Sequence, residues 1–236
     1  MAFPTSTLCE TSTVQDGTMS FKGGNKERIL QNRKLFLEKN GITLEEYVPM
    51  HCDHGEHIVV VDHATAATQH NGIPAEVLVT KSKNVALFLL TADCLPISLY
   101  DPVTETIALA HVSRKTFTQN LVQKTIGFLH THFSIEPTNL LIHIGPHIKK
   151  ESYAFALPLQ EEHVELTPFM YIENKYAHID LEKGSVTQLT ILGVPKENIT
   201  VSPIDTATSK EHFSYFRAKK EASDTTLRMA TVLMMK

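Results

Sequence analysis

The chain has 236 residues, 42% of them hydrophobic and 20% charged, enough to bury a substantial core. A formal charge of -4 gives no general pull toward nucleic acid or an anionic bilayer, which leaves small molecules as the expected partners. No apolar run approaches the ~20 residues that span a bilayer, the opening MAFPTSTLCETSTVQDG lacks the basic and apolar regions of a signal peptide, and the three scattered cysteines Cys9, Cys52 and Cys94 make no disulfide framework.

These features predict a cytoplasmic protein with reduced thiols, a monomer or small homo-oligomer. In chain order, Glu27 to Ile42 places Ile29, Leu30, Leu35, Phe36 and Leu37 ahead of a stop at Gly41, which predicts a helix. Short β-branched or fully apolar runs predict strands at His57 to Asp62, Glu76 to Thr80, Val85 to Thr91, Leu95 to Tyr100, Thr106 to Val112 and Leu140 to Gly145. Several are apolar on both faces and need cover on both sides. A stripe through Phe117, Leu121, Val122, Ile126, Leu129 and Phe133 predicts one helix from Phe117 to Phe133. A further helix is predicted from His178 or Ile179 to Leu192, closed by Gly193 to Pro195. The tail TTLRMATVLMMK is strand or helix by pattern alone. With no repeat and no linker, residues 1–236 read as one α+β domain of mixed, packed β-sheets with helices on the outer faces.

The stretch LTADCLPISLYDPVTETIALAHV holds the chemistry. With a hairpin turn centred near Val103, the residue opposite Cys94 is Val112, one position from His111. Cross-strand neighbours sit roughly 4.5–5.5 Å apart at Cβ, a gap that two zinc ligands bridge. A third ligand is available from MHCDHGEH, where His51, Cys52, His54 and His57 offer four candidates in eight residues.

HGEHIVVVD, VTKSKNVALFLLTADCLPISLYD, IALAHVSRKT, HIGPHI, IDL and HFSYFR followed by LRMA resemble, in order, the landmarks of the multicopper polyphenol oxidase or laccase-domain family. The resemblance runs over most of the chain, and TADCLP is its most specific part. It implies zinc-dependent phosphorolysis of purine nucleosides such as adenosine, inosine or methylthioadenosine, with adenosine deamination as a further activity. It also implies metal ligation by His54, Cys94 and His111. Laccase chemistry itself is set aside, because two histidines and one cysteine do not hold several clustered coppers. The single H-x-H pair, His130 to His132, falls in a predicted helix where the two side chains diverge.

The resemblance assigns the remaining site as follows. Asp93, beside the cysteine ligand, orients a ligand or carries a proton. Lys115 stands at the family's arginine position in HVSRKT, with Arg114 adjacent, and Arg217 is retained in HFSYFR. These cations are expected to neutralise phosphate, with His147 and Tyr153 lining the pocket for the nucleoside. Lys149 and Lys150 stand where the family has Gly-Pro, Glu151 and Ser152 replace paired cysteines, and Asp205 replaces a late cysteine before Thr206. Two other readings accompany the phosphorylase: a member that binds zinc or nucleoside without turnover, and a cysteine hydrolase with Cys94 as nucleophile and His111 as base.

Overall fold

Strands buried on both faces demand layers above and below them, and the computed structural model, which describes residues 3–64, 72–159 and 164–236, supplies these. The strands in the first half are β1 (Thr7–Thr11), β2 (Tyr47–His51), β3 (Ile58–Val60), β4 (Ile73–Pro74), β5 (Val77–Thr80), β6 (Ala86–Thr91), β7 (Leu95–Asp101) and β8 (Thr106–Val112). Those in the second half are β9 (Leu141–Ile144), β10 (Ala154–Ala156), β11 (Met170–Glu173), β12 (Tyr176–Ile179), β13 (Ile199–Val201) and β14 (Met229–Met235). The α-helices are α1 (Lys26–Lys39), α2 (Arg114–Thr118), α3 (Leu121–Phe133), α4 (Leu181–Ile191) and α5 (Tyr215–Lys220).

Two large sheets stack face to face. One has the order β1-β14-β6-β2-β4, the other β13-β9-β7-β8-β5-β3, and a small third sheet, β10-β12-β11, stands beside them. The period of two along each strand assigns side chains to layers. In β6 and β14, Ala86, Phe88, Ala230 and Val232 pack against Phe36 and Leu37 of α1, while Leu87, Leu89 and Leu233 face the second sheet. In β7 and β8, Ile97, Leu99, Ala108 and Ala110 meet Phe117, Leu121, Val122, Ile126 and Leu129 of α2 and α3, while Ile107 and Leu109 face the first sheet. The order is therefore helix, sheet, sheet, helices, an α+β arrangement with helices on the outer faces as predicted.

Several local expectations are corrected. The stripe from Phe117 to Phe133 is two helices, because Asn120 takes a left-handed conformation (φ 60°) and breaks the ladder between α2 and α3. The helix predicted from His178 starts at Leu181 instead. His178 and Ile179 belong to β12, and the Asp180 side chain accepts the Lys183 N–H as an N-cap. The ambiguous tail resolves as the strand β14, inserted between β1 and β6, because its apolar residues fill cores on both sides. The β7–β8 hairpin pairs Asp101 with Thr106, so its loop centre lies half a residue later than predicted and Leu95, not Cys94, stands opposite Val112. Asp101 fixes that loop by accepting the N–H and hydroxyl of Thr104.

Candidate metal centre

The ladder between β5 and β8 pairs Val77 with Ala110, and one step further the His111 N–H donates to the Glu76 carbonyl at 2.8 Å. Glu76 and His111 are thus cross-strand neighbours on one face, turned toward the first sheet and both buried. His111 Nδ1 lies 2.6 Å from Glu76 Oε2. The other carboxylate oxygen accepts two backbone N–H groups, from Asp53 at 2.9 Å and His54 at 2.6 Å. One carboxylate therefore holds the ring of His111 and the turn that carries His54, itself in the left-handed region at φ 62°.

The third member arrives from the start of β7. Asp93, at φ 96°, occupies a conformation that side-chain-bearing residues rarely adopt, and its carboxylate holds the turn in place by accepting from the Thr206 hydroxyl at 2.6 Å and the Phe216 N–H at 2.7 Å. The following residue, Cys94, is thereby brought to the two histidines. One ligand atom each from His54, Cys94 and His111 lies within 4.8 Å of the others, and the two imidazole rings meet at 5.4 Å between centroids.

The electrostatics separate the two cysteines of this region. Burial favours the neutral thiol of Cys94, but His111 and His54 outweigh it and bring the thiol down to about 7. Burial pushes Cys52 up, with His111 opposing only in part. The His111 imidazole is raised well above its ordinary range, because Cys52 and Cys94 outweigh the burial that disfavours its charge. Burial also raises the Asp93 carboxyl against its hydrogen bonds from Thr206 and Phe216. A soft thiolate and two imidazoles form a donor set suited to a borderline-soft ion. The Glu76 bond to Nδ1 leaves His111 Nε2 to face the metal, the carboxylate–histidine–metal arrangement common in such sites. The residues present fit a metal ion.

Cys94 and Asp93 line a cleft of about 1400 Å³ whose walls include Arg114, Tyr153, Phe155 and Phe216. The rings of Tyr153, Phe155 and Phe216 meet one another edge to face at 4.8–5.9 Å. The Arg114 guanidinium lies 5.0 Å from the centre of the Phe155 ring, and Lys219 and Lys220 stand on the rim. Ser113 caps α2, whose first residue is Arg114, through the Thr116 N–H.

The sequence-predicted residues divide clearly. His54, Cys94 and His111 converge, and Asp93, Arg114, Tyr153 and Arg217 line the cleft. Lys115 is exposed on α2 and stands outside the lining. The Arg217 guanidinium is committed to backbone carbonyls of Thr206, Ala207, Ser209 and His212 at 2.6–3.3 Å, which makes it a brace for that loop. His147 is fully buried and outside the cleft lining, with Nδ1 on the Gly145 carbonyl and Nε2 on Glu182. Ser152 and Asp205, two of the departures from the family pattern, hydrogen-bond each other at 2.5 Å. Glu76 was missed by sequence reasoning. The available signal was a lone acid directly ahead of the fully buried strand VLVT, opposite His111 across the ladder.

Among the described residues, no helix is long and apolar enough to cross a membrane. A family profile described as multi-copper polyphenol oxidoreductase laccase matches residues 13–236. The purine nucleoside phosphorylase of Streptomyces coelicolor is 29% identical over 198 residues, covering 83% of this chain and 79% of that protein. The purine nucleoside phosphorylase of Clostridium acetobutylicum is 32% identical over 154 residues, 64% of each chain. Among solved structures, YlmD from Geobacillus stearothermophilus superposes with a TM-score of 0.86 at 23% identity, over 98% of this chain and 93% of that one. The chain belongs to the multi-copper polyphenol oxidoreductase laccase family.

Proposed function

We propose that the protein is a zinc-dependent purine nucleoside phosphorylase acting on adenosine-, inosine- or methylthioadenosine-type substrates. The observation that carries this reading is the convergence of His54, Cys94 and His111, with Glu76 bonded to His111, where Cys94 lines a cleft that combines aromatic faces with cations. Relatives bearing the phosphorylase name support the substrate class. His54, Cys94 and His111 hold the zinc, and Glu76 fixes the tautomer of His111. When bound, zinc supplies Lewis-acid polarisation and an open coordination position.

The remaining chemistry belongs to the chain. The rings of Tyr153, Phe155 and Phe216 offer faces and edges for a purine. Arg114, with Lys219 and Lys220 on the rim, neutralises the phosphate, taking the part expected of Lys115. Arg217 and Asp93 act as positioning groups for the 206–212 loop and the Cys94 turn. As the glycosidic C–N bond breaks, its electron pair leaves with the base, which takes up the proton that hydrogen phosphate gives up. A phosphate oxygen bonds to the ribose carbon, and the phosphate's negative charge stabilises the positive charge that builds on the sugar ring.

Zinc-loaded protein incubated with adenosine, inosine and methylthioadenosine is expected to release free base only when phosphate is present, with ribose 1-phosphate from the first two and 5-methylthioribose 1-phosphate from the third. Silence with all three overturns the reading. Conversion of adenosine to inosine without base release identifies the deaminase activity instead. One observation favours a second reading: the Glu76–His111–Cys94 series has the form of an acid, a base and a thiolate nucleophile. Rapid labelling of Cys94 by a thiol reagent in metal-replete protein, as fast as with chelator, supports that hydrolase; protection by zinc supports ligation.

A further inference from the structure

His111 also belongs to a second set of donors. Cys52 Sγ, a Glu76 carboxylate oxygen and a His111 ring nitrogen all lie within 4.8 Å of one another, and this set shares only His111 with the triad at the cleft. Cys52 is absent from the cleft wall and sits against the core between the two sheets, partly exposed. The proposed reaction leaves it without a task. Glu76 is wholly buried and His111 nearly so. A thiolate and a carboxylate together balance a divalent ion in surroundings where unbalanced charge is costly. One sulfur, one nitrogen and one oxygen make a donor set for a thiophilic divalent ion such as zinc or cobalt(II).

We propose that Cys52, Glu76 and His111 form a second position for a thiophilic divalent metal ion, in competition with the triad position for His111. Binding there releases the Cys52 thiol proton to solvent and moves the His111 ring proton from Nδ1, where Glu76 now faces it, to Nε2. The His111–Glu76 contact of 2.6 Å widens to admit the ion. A neutral imidazole protonated at Nε2 has no lone pair for the cleft side, so it serves one position at a time. An ion at the second position therefore disarms the triad. This holds whether or not the cleft cleaves nucleosides.

The test is a cobalt(II) titration of the full-length chain. Cys94→Ala is expected to show a thiolate-to-cobalt charge-transfer band in the near ultraviolet, saturating at about one ion per chain. Adding Cys52→Ser is expected to abolish it. No band in Cys94→Ala overturns the proposal, and so does a band that survives in the double variant. The one remaining thiol, Cys9, faces Ser98 between the sheets and provides no route to the site. Circular dichroism establishes that the variants fold, and Cys94→Ser carries the same test if the alanine variant does not. Because the readout is cobalt absorption, a protein inactive on nucleosides can still pass, and an active one can still fail.

Discussion

Glu76 is the residue on which the site depends most, because a single carboxylate fixes both the orientation of His111 and the turn that bears His54. Glu76→Gln keeps the shape but can present an N–H to Nδ1, which forces the ring proton to Nε2 and removes the lone pair that faces the metal. Zinc affinity, measured by competition with a chelator, is expected to fall roughly 10–100-fold. An unchanged affinity contradicts the assignment. A second residue-scale prediction separates neighbours. Arg114 lines the cleft while Lys115 does not, so Arg114→Ala is expected to raise the KM for phosphate about tenfold, equivalent to one charge-assisted hydrogen bond. Lys115→Ala is expected to leave it near the wild-type value, and the reverse order of effects refutes the placement.

Among the elements, α2 is short and depends on its neighbours. A Cβ on Gly184 of α4 would lie 2.7 Å from Phe117 Cζ and 3.2 Å from Phe169, so the two helices approach closely at this glycine. Gly184→Ala gains helix propensity of about 1 kcal/mol but overpacks the contact by about 1–3 kcal/mol. A net loss of about 1 kcal/mol is expected in urea unfolding, with a rise in phosphate KM if α2 shifts Arg114; a stabilised variant contradicts the packing. The element scale also shows what the sequence made legible. The strands β5 to β8 were readable because short, fully apolar or β-branched runs are a local signal; pattern alone brought Cys94 near His111 but left the third partner open among His51, Cys52, His54 and His57, and His54 was singled out by the family resemblance. The break at Asn120 and the small β10-β12-β11 sheet were not readable, since a non-glycine residue in a left-handed conformation and short, half-exposed strands leave no distinctive pattern. Glu76 escaped for another reason. Its meaning lies in a cross-strand partner 35 positions away.

Across the whole molecule, α4 is tied by charge to the segment that follows β9. Glu182 of α4 faces His147 Nε2 at 3.1 Å and accepts from Lys149 at 2.6 Å, and these partners, His147 foremost, lower its carboxyl from 4.5 to about 2 against the effect of burial. A depressed carboxylate contributes stability that is complete above pH 4.5 and is lost as the pH falls toward 2. Because Glu182 is partly exposed, solvent screening reduces the contribution to on the order of 1 kcal/mol. Glu182→Gln is therefore expected to flatten the acid side of the stability curve in that window, and an unaltered curve contradicts the linkage. Zinc held at the proposed site, where three separate segments meet, is expected to raise the melting temperature, with chelator reversing the gain.

The most direct test of the central claim is anomalous diffraction at the zinc edge from crystals of the zinc-loaded protein. The predicted result is a strong peak in contact with a nitrogen of His54, Cys94 Sγ and Nε2 of His111. Loaded crystals with no peak among these three side chains contradict the account.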